Sequence, residues 1–500
     1  MSPLTAPRAR SARSGRPADV ECDALVVGSG AGGAVAALEL ARAGRSVTVL
    51  EEGPRVGTRE LAAASPAESM RRLYRNGGAT AVFGTPTIAY GEAHAVGGTT
   101  VVNGGLLWEP SAAVLDCWAA WSGYGSYRAP VIGPRFAEVR RRLGMIVQEH
   151  GDGNEDSRLL ALAAESLGWR WQHPQRVVRG CEHRNQCATG CPSGAKQSMA
   201  VTYLPEAEAL GARVSPGVRV ERITHRHGVV RGVEATGPDG RRVRYRPRTL
   251  FVAAGPIGTP VLLRRSGIHA RTAGRRIALH LNLRTVARFP RVVDAVRGTM
   301  FTAQVQEHSA LGMLVMPSNL TPGGLGAALA GRAPDLVDDL LAARSQLGMF
   351  TTQVRMQGYA RIAGTVAGTP LLRHGMTRAD HHALRLAFRR TARLLFAAGA
   401  VELLPPTSAA GPLRTEADVE AYCARVRPGD WELVSVHAMA GCPMALPGRG
   451  GVCDELGRPY GFGNLHLCDA SVLPGAPGIS PQGTIMSFAH EIVARHLESA

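Results

Sequence analysis

The pattern of hydrophobic and polar positions near the start of the chain predicts a strand, a helix and a second strand. Ala24 to Val27 form a short apolar run, the next segment repeats apolar residues at i, i+3 and i+4, and Ser46 to Leu50 form another run. Short apolar runs between turn residues are typical of buried strands, whereas the wider period is typical of a helix. The segment therefore predicts a βαβ unit of an α/β fold.

Three glycines, Gly28, Gly30 and Gly33, follow the first predicted strand in the spacing G-x-G-x-x-G. This spacing gives a tight turn, lets the backbone approach a pyrophosphate and packs the helix close to the strand. The helix N-terminus then faces the phosphates with its positive end, and Glu51 at the tip of the second strand is placed to accept ribose hydroxyls. These residues predict a dinucleotide site that suits NAD or FAD.

Later segments favour FAD. The stretch "RTLFVAAGPIGTPVLLRRSGI" is an apolar strand, a glycine turn at Gly255 and a helix, and it follows a β-rich stretch that contains Val218. The stretch "NLHLCDASVLPGAPGISPQGTIMSFAHEIVARHL" is a strand, an acid at Asp469, a loop and a long helix. Flavoproteins use the first of these arrangements to close over the adenosine half of the cofactor.

Composition limits the classes of partner. The length of 500 residues predicts two or three structural units. A formal charge of +17 would suit a nucleic acid, yet Lys196 is the only lysine and the arginines are scattered with few aromatic residues among them. Nucleic-acid sites need basic side chains clustered on one face, so we expect no nucleic-acid partner.

Targeting signals are equally sparse. Residues 1–20 contain arginines without an apolar core, which predicts a disordered leader rather than a secretory signal. The longest apolar stretch is broken by glycines and carries Glu39, so no transmembrane segment is predicted. Nine cysteines, five of them spread singly, fit a reducing compartment, and we expect a cytoplasmic protein.

Four motifs in order resemble the glucose-methanol-choline (GMC) oxidoreductases, flavoenzymes that oxidise alcohols. They are the Gly28 fingerprint with Glu51, "GGTTVVNGG", "VSVHAMAGCPM" and "CDASVLPGAPGISPQGTIM". The resemblance runs from Asp23 almost to the C-terminus and implies an α/β fold, with a Rossmann-like FAD-binding domain and an α+β substrate-binding domain built on an antiparallel sheet. It assigns the FAD-binding domain to residues 21–286, with an insertion near 110–180, and 416–500, and the substrate-binding domain to 287–415.

The resemblance also assigns cofactor contacts. The "GGTTVVNGG" loop is expected to lie along the flavin, and the last helix is expected to point its positive end at the pyrimidine ring, where charge builds up on reduction. Covalently flavinylated relatives use a histidine at the position of Val102, so we expect non-covalent FAD here. Beyond the fingerprint and Glu51, the implied cofactor residues are Gly97, Gly98, Asn103, Gly104, Val218, Asp469, Ala470 and Gln482.

His437 is the candidate base, because the family uses a histidine of this segment to accept the hydroxyl proton. His280, His225 and His173 are expected to be structural. The family usually has Asn or a second His where this chain has Ser480. A serine hydroxyl holds the alcohol oxygen less firmly. Ser480 is therefore either an assisting catalytic residue or an N-cap before Pro481, and both roles are compatible.

Three cysteines, Cys181, Cys187 and Cys191, follow the spacing C-x5-C-x3-C-P. One alternative is an iron–sulfur cluster, as in FAD-dependent sugar dehydrogenases of this family. A second is zinc with His183 as fourth ligand. The third is a set of packing cysteines, as in the long-chain alcohol oxidase branch, and no metal ligand is assigned.

The sequence thus predicts FAD-dependent oxidation of an alcohol, and the long-chain alcohol oxidase branch is the nearest in appearance. Methionines and leucines in the substrate domain favour a large apolar alcohol. The alternatives are a sugar or polyol dehydrogenase subunit that relays electrons through a cluster, a non-redox FAD-containing lyase, and a flavin-binding protein without turnover. Oxygen, a quinone or a redox protein would accept the electrons.

Overall fold

A computed structural model describes residues 18–148, 155–269, 271–318, 320–366 and 369–499. Residues 1–17 of the predicted leader lie outside these ranges, whereas residues 18–20 belong to the first strand. The strands are β1 (Ala18–Val27), β2 (Val47–Glu51), β3 (Thr80–Phe83), β4 (Ile88–Tyr90), β5 (Ile146–Val147), β6 (Trp171–Gln172), β7 (Gln175–Arg176), β8 (Arg213–Pro216), β9 (Arg219–Arg226), β10 (Val229–Thr236), β11 (Arg242–Val252), β12 (Ala278–Arg288), β13 (Gln304–Val305), β14 (Met313–Ser318), β15 (Leu347–Arg355), β16 (Tyr359–Val366), β17 (Thr369–Gly375), β18 (Glu402–Leu404), β19 (Leu433–Ser435), β20 (Ala438–Met439) and β21 (Leu465–Leu467).

Thirteen helices are distributed along the described part of the chain. They are α1 (Ala31–Arg42), α2 (Thr58–Ala63), α3 (Pro66–Leu73), α4 (Ala112–Ser122), α5 (Ala129–Leu143), α6 (Glu155–Ser166), α7 (Tyr203–Ala209), α8 (Gly255–Arg265), α9 (Pro322–Leu329), α10 (Pro334–Ala342), α11 (Arg378–Ala397), α12 (Glu416–Arg425) and α13 (Gln482–Ser499). Among the described residues, none of these helices is both long and apolar enough to span a membrane.

The first sheet confirms the Rossmann-like prediction. Its strand order is β8-β2-β1-β11-β10-β9, and β8, β2, β1 and β11 run parallel. β11 is long enough to pair antiparallel with β10 through residues 242–245 and parallel with β21 through residues 250–252. Helix α1 connects β1 to β2, and its Ala34–Leu38 segment is buried. Strands covered on both faces read as continuous apolar runs, which is why the βαβ unit was visible in the sequence.

The second sheet is mainly antiparallel, with the order β16-β17-β3-β4-β19-β12-β15-β14-β13-β6. Its central strand β12 begins at Ala278, and β3, β4 and β19 join it from segments far away in sequence. The sheet therefore extends beyond the predicted substrate domain of residues 287–415. Hydrogen-bond partners, rather than local composition, decide which sheet a short strand joins.

Helix α11 covers the second sheet. Thr377 caps its N-terminus by accepting the N–H of Asp380, whose carboxylate accepts the Thr377 N–H in return. Leu384, Ala387 and Phe388 lie buried on one face of the helix. Burial of an apolar stripe of this kind supplies most of a helix's stability. The opposite face of the sheet is left to line a cavity of about 1060 Å³ that also reaches the ends of β1 and β2.

Candidate active site

The glycine fingerprint lies at one end of the cavity. Gly28 has φ +95°, and a Cβ there would lie 2.2 Å from the carbonyl oxygen of Ala253. A Cβ on Gly33 would lie 2.0 Å from the Gly28 oxygen, whereas a Cβ on Gly30 would meet only the Cα of Gly98 at 3.8 Å. Gly28 and Gly33 are therefore required by the close packing of backbone segments, and Gly30 keeps the cavity wall bare.

Glu51 lies where the sequence placed it, at the tip of β2 in the cavity wall. Its carboxylate accepts the N–H and hydroxyl of Ser29 at 3.0 and 2.7 Å and the N–H of Gly53 at 2.8 Å. Burial raises the pKa of Glu51, which these hydrogen bonds oppose. The Ser29 hydroxyl accepts the N–H of Gly97 at 3.0 Å, and Val218 donates its N–H to the Glu51 carbonyl at 2.9 Å. Glu51 thus connects the fingerprint to the next loop.

The loop "GGTTVVNGG" crosses over the fingerprint. A Cβ on Gly98 would lie 2.7 Å from the Cα of Gly30, so the two segments approach closely only without side chains. Asn103 donates its amide hydrogen to the Gln482 side chain and accepts the Gly105 N–H at 3.0 Å. The loop is thereby connected to the first residue of α13. Gly98, Asn103, Gly104 and Gln482 all line the cavity.

Lys196 fixes this loop through hydrogen bonds, a role that was not predicted from the sequence. Its ammonium group donates to the carbonyl oxygens of Val101, Asn103 and Cys187, each at 2.7 Å. Burial lowers the pKa of Lys196 to about 8, and the neighbouring Cys187 and Cys191 oppose the shift only in part. Its being the only lysine in an arginine-rich chain was the available signal.

Arg176 reinforces the same loop. Its guanidinium donates to the carbonyl oxygens of Gly104 at 3.2 Å and Met300 at 3.1 Å, and to the thiol sulfur of Cys187 at 3.3 Å. The side chain is fully buried. Two buried cations therefore fix the loop through neutral oxygens and one sulfur atom.

The three cysteines around Lys196 surround a gap of about 20 Å³. The Cys187 sulfur faces Arg176, whereas the Cys191 sulfur contacts the Ser193 hydroxyl and the Lys196 N–H, each at 3.5 Å. Burial raises the pKa of Cys191, but these hydrogen bonds outweigh it and leave the pKa lowered. Within the part of the chain that the structure describes, no three His, Cys, Asp or Glu side chains are grouped to hold a metal ion. The geometry thus favours neither the iron–sulfur cluster nor zinc with His183.

His437 lines the cavity between β19 and β20, and its Nδ1 lies 3.0 Å from Nδ1 of His280 on β12. His280 is therefore not merely a structural residue remote from the site. Gly478 donates its N–H to Nε2 of His280 at 3.0 Å, so that nitrogen carries no hydrogen. His280 must then carry its hydrogen on Nδ1 and donate it to His437. His437 in turn carries its hydrogen on Nε2, the ring nitrogen left for a ligand.

Both rings are neutral near pH 7. Burial lowers the pKa of His437 to about 4. Burial, then the neighbouring His437 and Arg355, lower the pKa of His280 well below its usual range. A buried histidine loses more hydration when charged than when neutral, which explains both shifts.

Ser480 and Asp469 complete the predicted residues. Ser480 lines the cavity and donates its hydroxyl to the Leu106 carbonyl at 3.5 Å, two residues before α13 begins. Asp469 follows β21 and accepts the N–H of Gly255 at 2.9 Å and the hydroxyl of Thr259 at 2.5 Å, which joins β21 to α8. Asp469 and Ala470 also line the cavity.

These residues fit FAD. Backbone without side chains surrounds the phosphate end, an acid marks the ribose end, and a helix N-terminus and the His437 ring meet at the far end of one continuous cavity. Helix N-termini favour negative charge, as the phosphates and a reduced flavin both require.

Comparisons with known proteins agree with this geometry. Residues 70–282 and 357–489 match models of the GMC oxidoreductase family, and residues 26–76 match an NAD(P)-binding Rossmann-like domain. An uncharacterized GMC-type oxidoreductase of Mycobacterium tuberculosis is 37% identical over 95% of this chain and 75% of its own. A long-chain-alcohol oxidase of Arabidopsis thaliana is 29% identical over 96% of this chain and 68% of its own.

Solved structures share the fold. Pyridoxine 4-oxidase from Mesorbium loti superposes with a TM-score of 0.74 at 16% identity, covering 95% of this chain and 99% of its own. A formate oxidase variant from Aspergillus oryzae, described for its FAD modification, gives 0.73 at 13% identity, covering 96% and 99%. With the sequence matches, these findings show that the chain belongs to the GMC oxidoreductase family, is an enzyme that acts on CH–OH donors, and uses FAD.

Proposed function

We propose that the protein oxidises a large alcohol to an aldehyde or ketone, with His437 as the group that acts on the hydroxyl. The observation that carries this proposal is the neutral His437 ring in the cavity wall, held by His280. FAD, when bound, accepts the hydride from the carbinol carbon. The side chains of this protein then have to position the alcohol and accept its hydroxyl proton.

His437 contacts the hydroxyl oxygen through Nε2 and takes up its proton. A neutral ring is needed for this, and the low pKa of His437, about 4, keeps it neutral. In the tautomer described above, Nε2 of His437 carries a hydrogen and donates it to the alcohol oxygen. Nε2 can take up the proton only in the other tautomer, in which His437 carries its hydrogen on Nδ1 and donates it to His280. In that tautomer the Gly478 N–H loses its acceptor. Ser480 supplies a second hydrogen bond to the oxygen. The alternative of an N-cap does not match its position, because α13 begins at Gln482 and the Ser480 hydroxyl donates to the Leu106 carbonyl.

The substrate is a large alcohol with substantial apolar surface. Long-chain-alcohol oxidases are among the relatives, at 25 to 29% identity. Apolar side chains line the cavity on the side away from the fingerprint, and they include Phe83, Trp108, Leu314, Met316 and Leu372. Methionine and leucine walls suit long flexible chains.

FAD is held without a covalent bond, because Val102 offers no nucleophile where flavinylated relatives have histidine. We expect acid or heat denaturation to release intact FAD into the supernatant; yellow colour that stays with the precipitated chain would contradict this. Oxygen, a quinone or a redox protein as electron acceptor, and a cytoplasmic location, stay predictions from the sequence.

Anaerobic absorption spectra test the proposal. The purified protein is mixed with primary and secondary alcohols of increasing chain length, and bleaching of the flavin bands is followed. We expect bleaching by long alcohols, and a loss of at least a hundredfold in its rate in His437→Gln, because general base catalysis contributes on the order of 10²–10⁴. His225→Gln is the matched control. No bleaching by any alcohol would support a lyase or an inactive flavoprotein, and a broad brown absorbance would support the cluster alternative.

A further inference from the structure

One face of the second sheet forms the cavity wall beyond His437. Asn282 and Arg284 project from the same side of β12 as His280, because side chains alternate along a strand. Thr351 pairs with Arg284 and Gln353 with Asn282, so their side chains share this face. Residues 314 and 316 of β14 pair with residues 353 and 351 in turn, and all of these except His280 line the cavity.

Arg284, on this wall, has no acidic side chain as a partner among the described residues. Over the described ranges, its guanidinium makes no ion pair and no hydrogen bond to another residue. Burial lowers its pKa, and Tyr74 is the only group that opposes the shift. Its neighbours differ: Arg75 pairs with Glu52 and Glu92, and Arg288 on the same strand pairs with Asp339 at 2.7 Å. A partly buried guanidinium without a counter-ion is costly, and a bound anion would remove that cost.

Other polar groups on the wall also lack partners. Gln304 is 2% exposed and Trp108 is 5% exposed, and both line the cavity. Three of their side-chain atoms have no hydrogen-bond partner in the described part of the chain: Nε2 and Oε1 of Gln304 and the indole Nε1 of Trp108. Buried polar atoms nearly always have partners, so these atoms indicate a ligand with polar groups of its own. A hydrocarbon chain alone would leave them unsatisfied.

We propose that the alcohol oxidised at His437 carries an anionic group, a carboxylate or a phosphate ester, that binds Arg284. The proposal rests on the function proposed above and restricts its substrate class to large hydroxy acids or their phosphate counterparts. Arg284 is four residues along β12 from His280, a separation of roughly 13 Å between Cα atoms at the usual strand rise. The reacting carbon and the anionic group therefore lie at opposite ends of an elongated molecule.

The cofactor phosphates are a different source of negative charge, but they are expected at Gly28–Gly33 on the first sheet. If Arg284 served the cofactor, its removal would loosen FAD or shift the flavin reduction potential, and it would affect neutral and anionic alcohols equally. If it serves the substrate, only the anionic ligands lose affinity.

A binding titration separates the proposal from turnover. Saturated fatty carboxylates, alkyl phosphates and neutral alkyl amides of matched length are titrated into the holoenzyme, and the flavin difference spectrum reports binding. We expect the carboxylate or the phosphate to bind the wild-type protein at least tenfold more tightly than the amide, since charge-assisted hydrogen bonds are worth about that much. Arg284→Gln should remove this preference, whereas Arg284→Lys should keep part of it.

Arg288→Gln, on the same strand but paired with Asp339, is the matched control and should keep the full preference. In turnover, ω-hydroxy fatty acids should bleach the wild-type flavin at lower concentration than their methyl esters, and the two should become equal in Arg284→Gln. A wild-type protein that binds amide and anions equally would overturn the proposal, as would an Arg284→Gln variant that keeps the preference. Anion binding without bleaching by any alcohol would overturn only the proposed function.

Discussion

His280 donates its Nδ1–H to Nδ1 of His437 across 3.0 Å, and this direction is set by the Gly478 N–H on the far side of the His280 ring. Burial lowers the pKa of His437. The His280 N–H fixes which ring nitrogen of His437 carries the hydrogen. Under the proposed function, His280 is a positioning residue for the His437 ring.

The first prediction concerns the pH dependence of flavin reduction. Neutral His437 is needed, so the rate should be constant from alkaline pH down to about 5 and fall with a pKa of about 4. His280→Phe leaves His437 buried, so the pKa of the acid limb should stay at about 4, whereas the rate on the plateau should fall because the ring loses the hydrogen bond that orients it. Rapid-mixing measurements across pH 4 to 9 check this, with His225→Phe as control. An acid limb that moves to higher pH in His280→Phe would show that the histidine pair, in addition to burial, sets the pKa.

The second prediction concerns acid stability. Burial lowers the pKa of His466 and of His490 to about 4, whereas unfolded histidine titrates near its ordinary value of about 6.5. The unfolded chain then binds more protons between these values, so stability is present above pH 6.5 and lost as pH falls towards 4. Each residue accounts for roughly 3 kcal/mol of this loss.

Urea unfolding midpoints at successive pH values test this loss. His466→Phe keeps the stacking on Phe251, whose ring lies 4.8 Å away, but removes one titrating group. Its midpoint should therefore fall less steeply between pH 6.5 and 4 than that of the wild-type protein. Equal slopes would mean that His466 is not kept neutral by folding.

The sequence was informative where local spacing carries the chemistry. The fingerprint, Glu51 and Asp469 are each defined by neighbours within one βα unit, and Gly28, Gly30, Glu51 and Asp469 line one cavity. His280 could not be recognised because its partner His437 is 157 residues away and lies in the short connection between β19 and β20. Its position became meaningful only through the pairing of β12 with β20.

The cavity wall formed by the second sheet could not be predicted for the same reason. Arg284 is one of many arginines, and nothing in its local sequence distinguishes it from Arg288, which has an acidic partner. Strand register and the absence of a counter-ion distinguish the two. The domain boundary near residue 287 stays a prediction from the sequence; β12, which begins at Ala278, crosses it as one continuous strand.

The third prediction concerns Lys196. Lys196→Met keeps the volume but removes three hydrogen bonds, which leaves the carbonyl oxygens of Val101, Asn103 and Cys187 without this donor. Hydrogen bonds from a charged group contribute roughly 1.5–3 kcal/mol each, and the removal of a buried cation offsets part of the loss. We expect a destabilisation of about 3 kcal/mol and faster loss of FAD, because the loop along the flavin is released.

Thermal unfolding and gel filtration followed by flavin absorbance measure both effects. Arg241→Met, at an exposed arginine, is the control and should change neither. A Lys196→Met protein that keeps its melting temperature but loses FAD would mean that Lys196 acts on the cofactor rather than on the fold. If the variant keeps both its melting temperature and its FAD, the hydrogen bonds of Lys196 do not hold the loop.

The fourth prediction separates two glycines of the fingerprint. A Cβ on Gly30 would make an ordinary van der Waals contact with the Gly98 Cα at 3.8 Å, whereas a Cβ on Gly33 would overlap the Gly28 carbonyl at 2.0 Å. Gly30→Ala should therefore fold with an unchanged apo melting temperature but bind FAD at least tenfold more weakly, since the new methyl group occupies the phosphate approach. Gly33→Ala should lower the apo melting temperature itself, because α1 must move away from β1. Equal losses of apo stability in the two variants would show that Gly30, too, is needed for packing rather than for the cofactor.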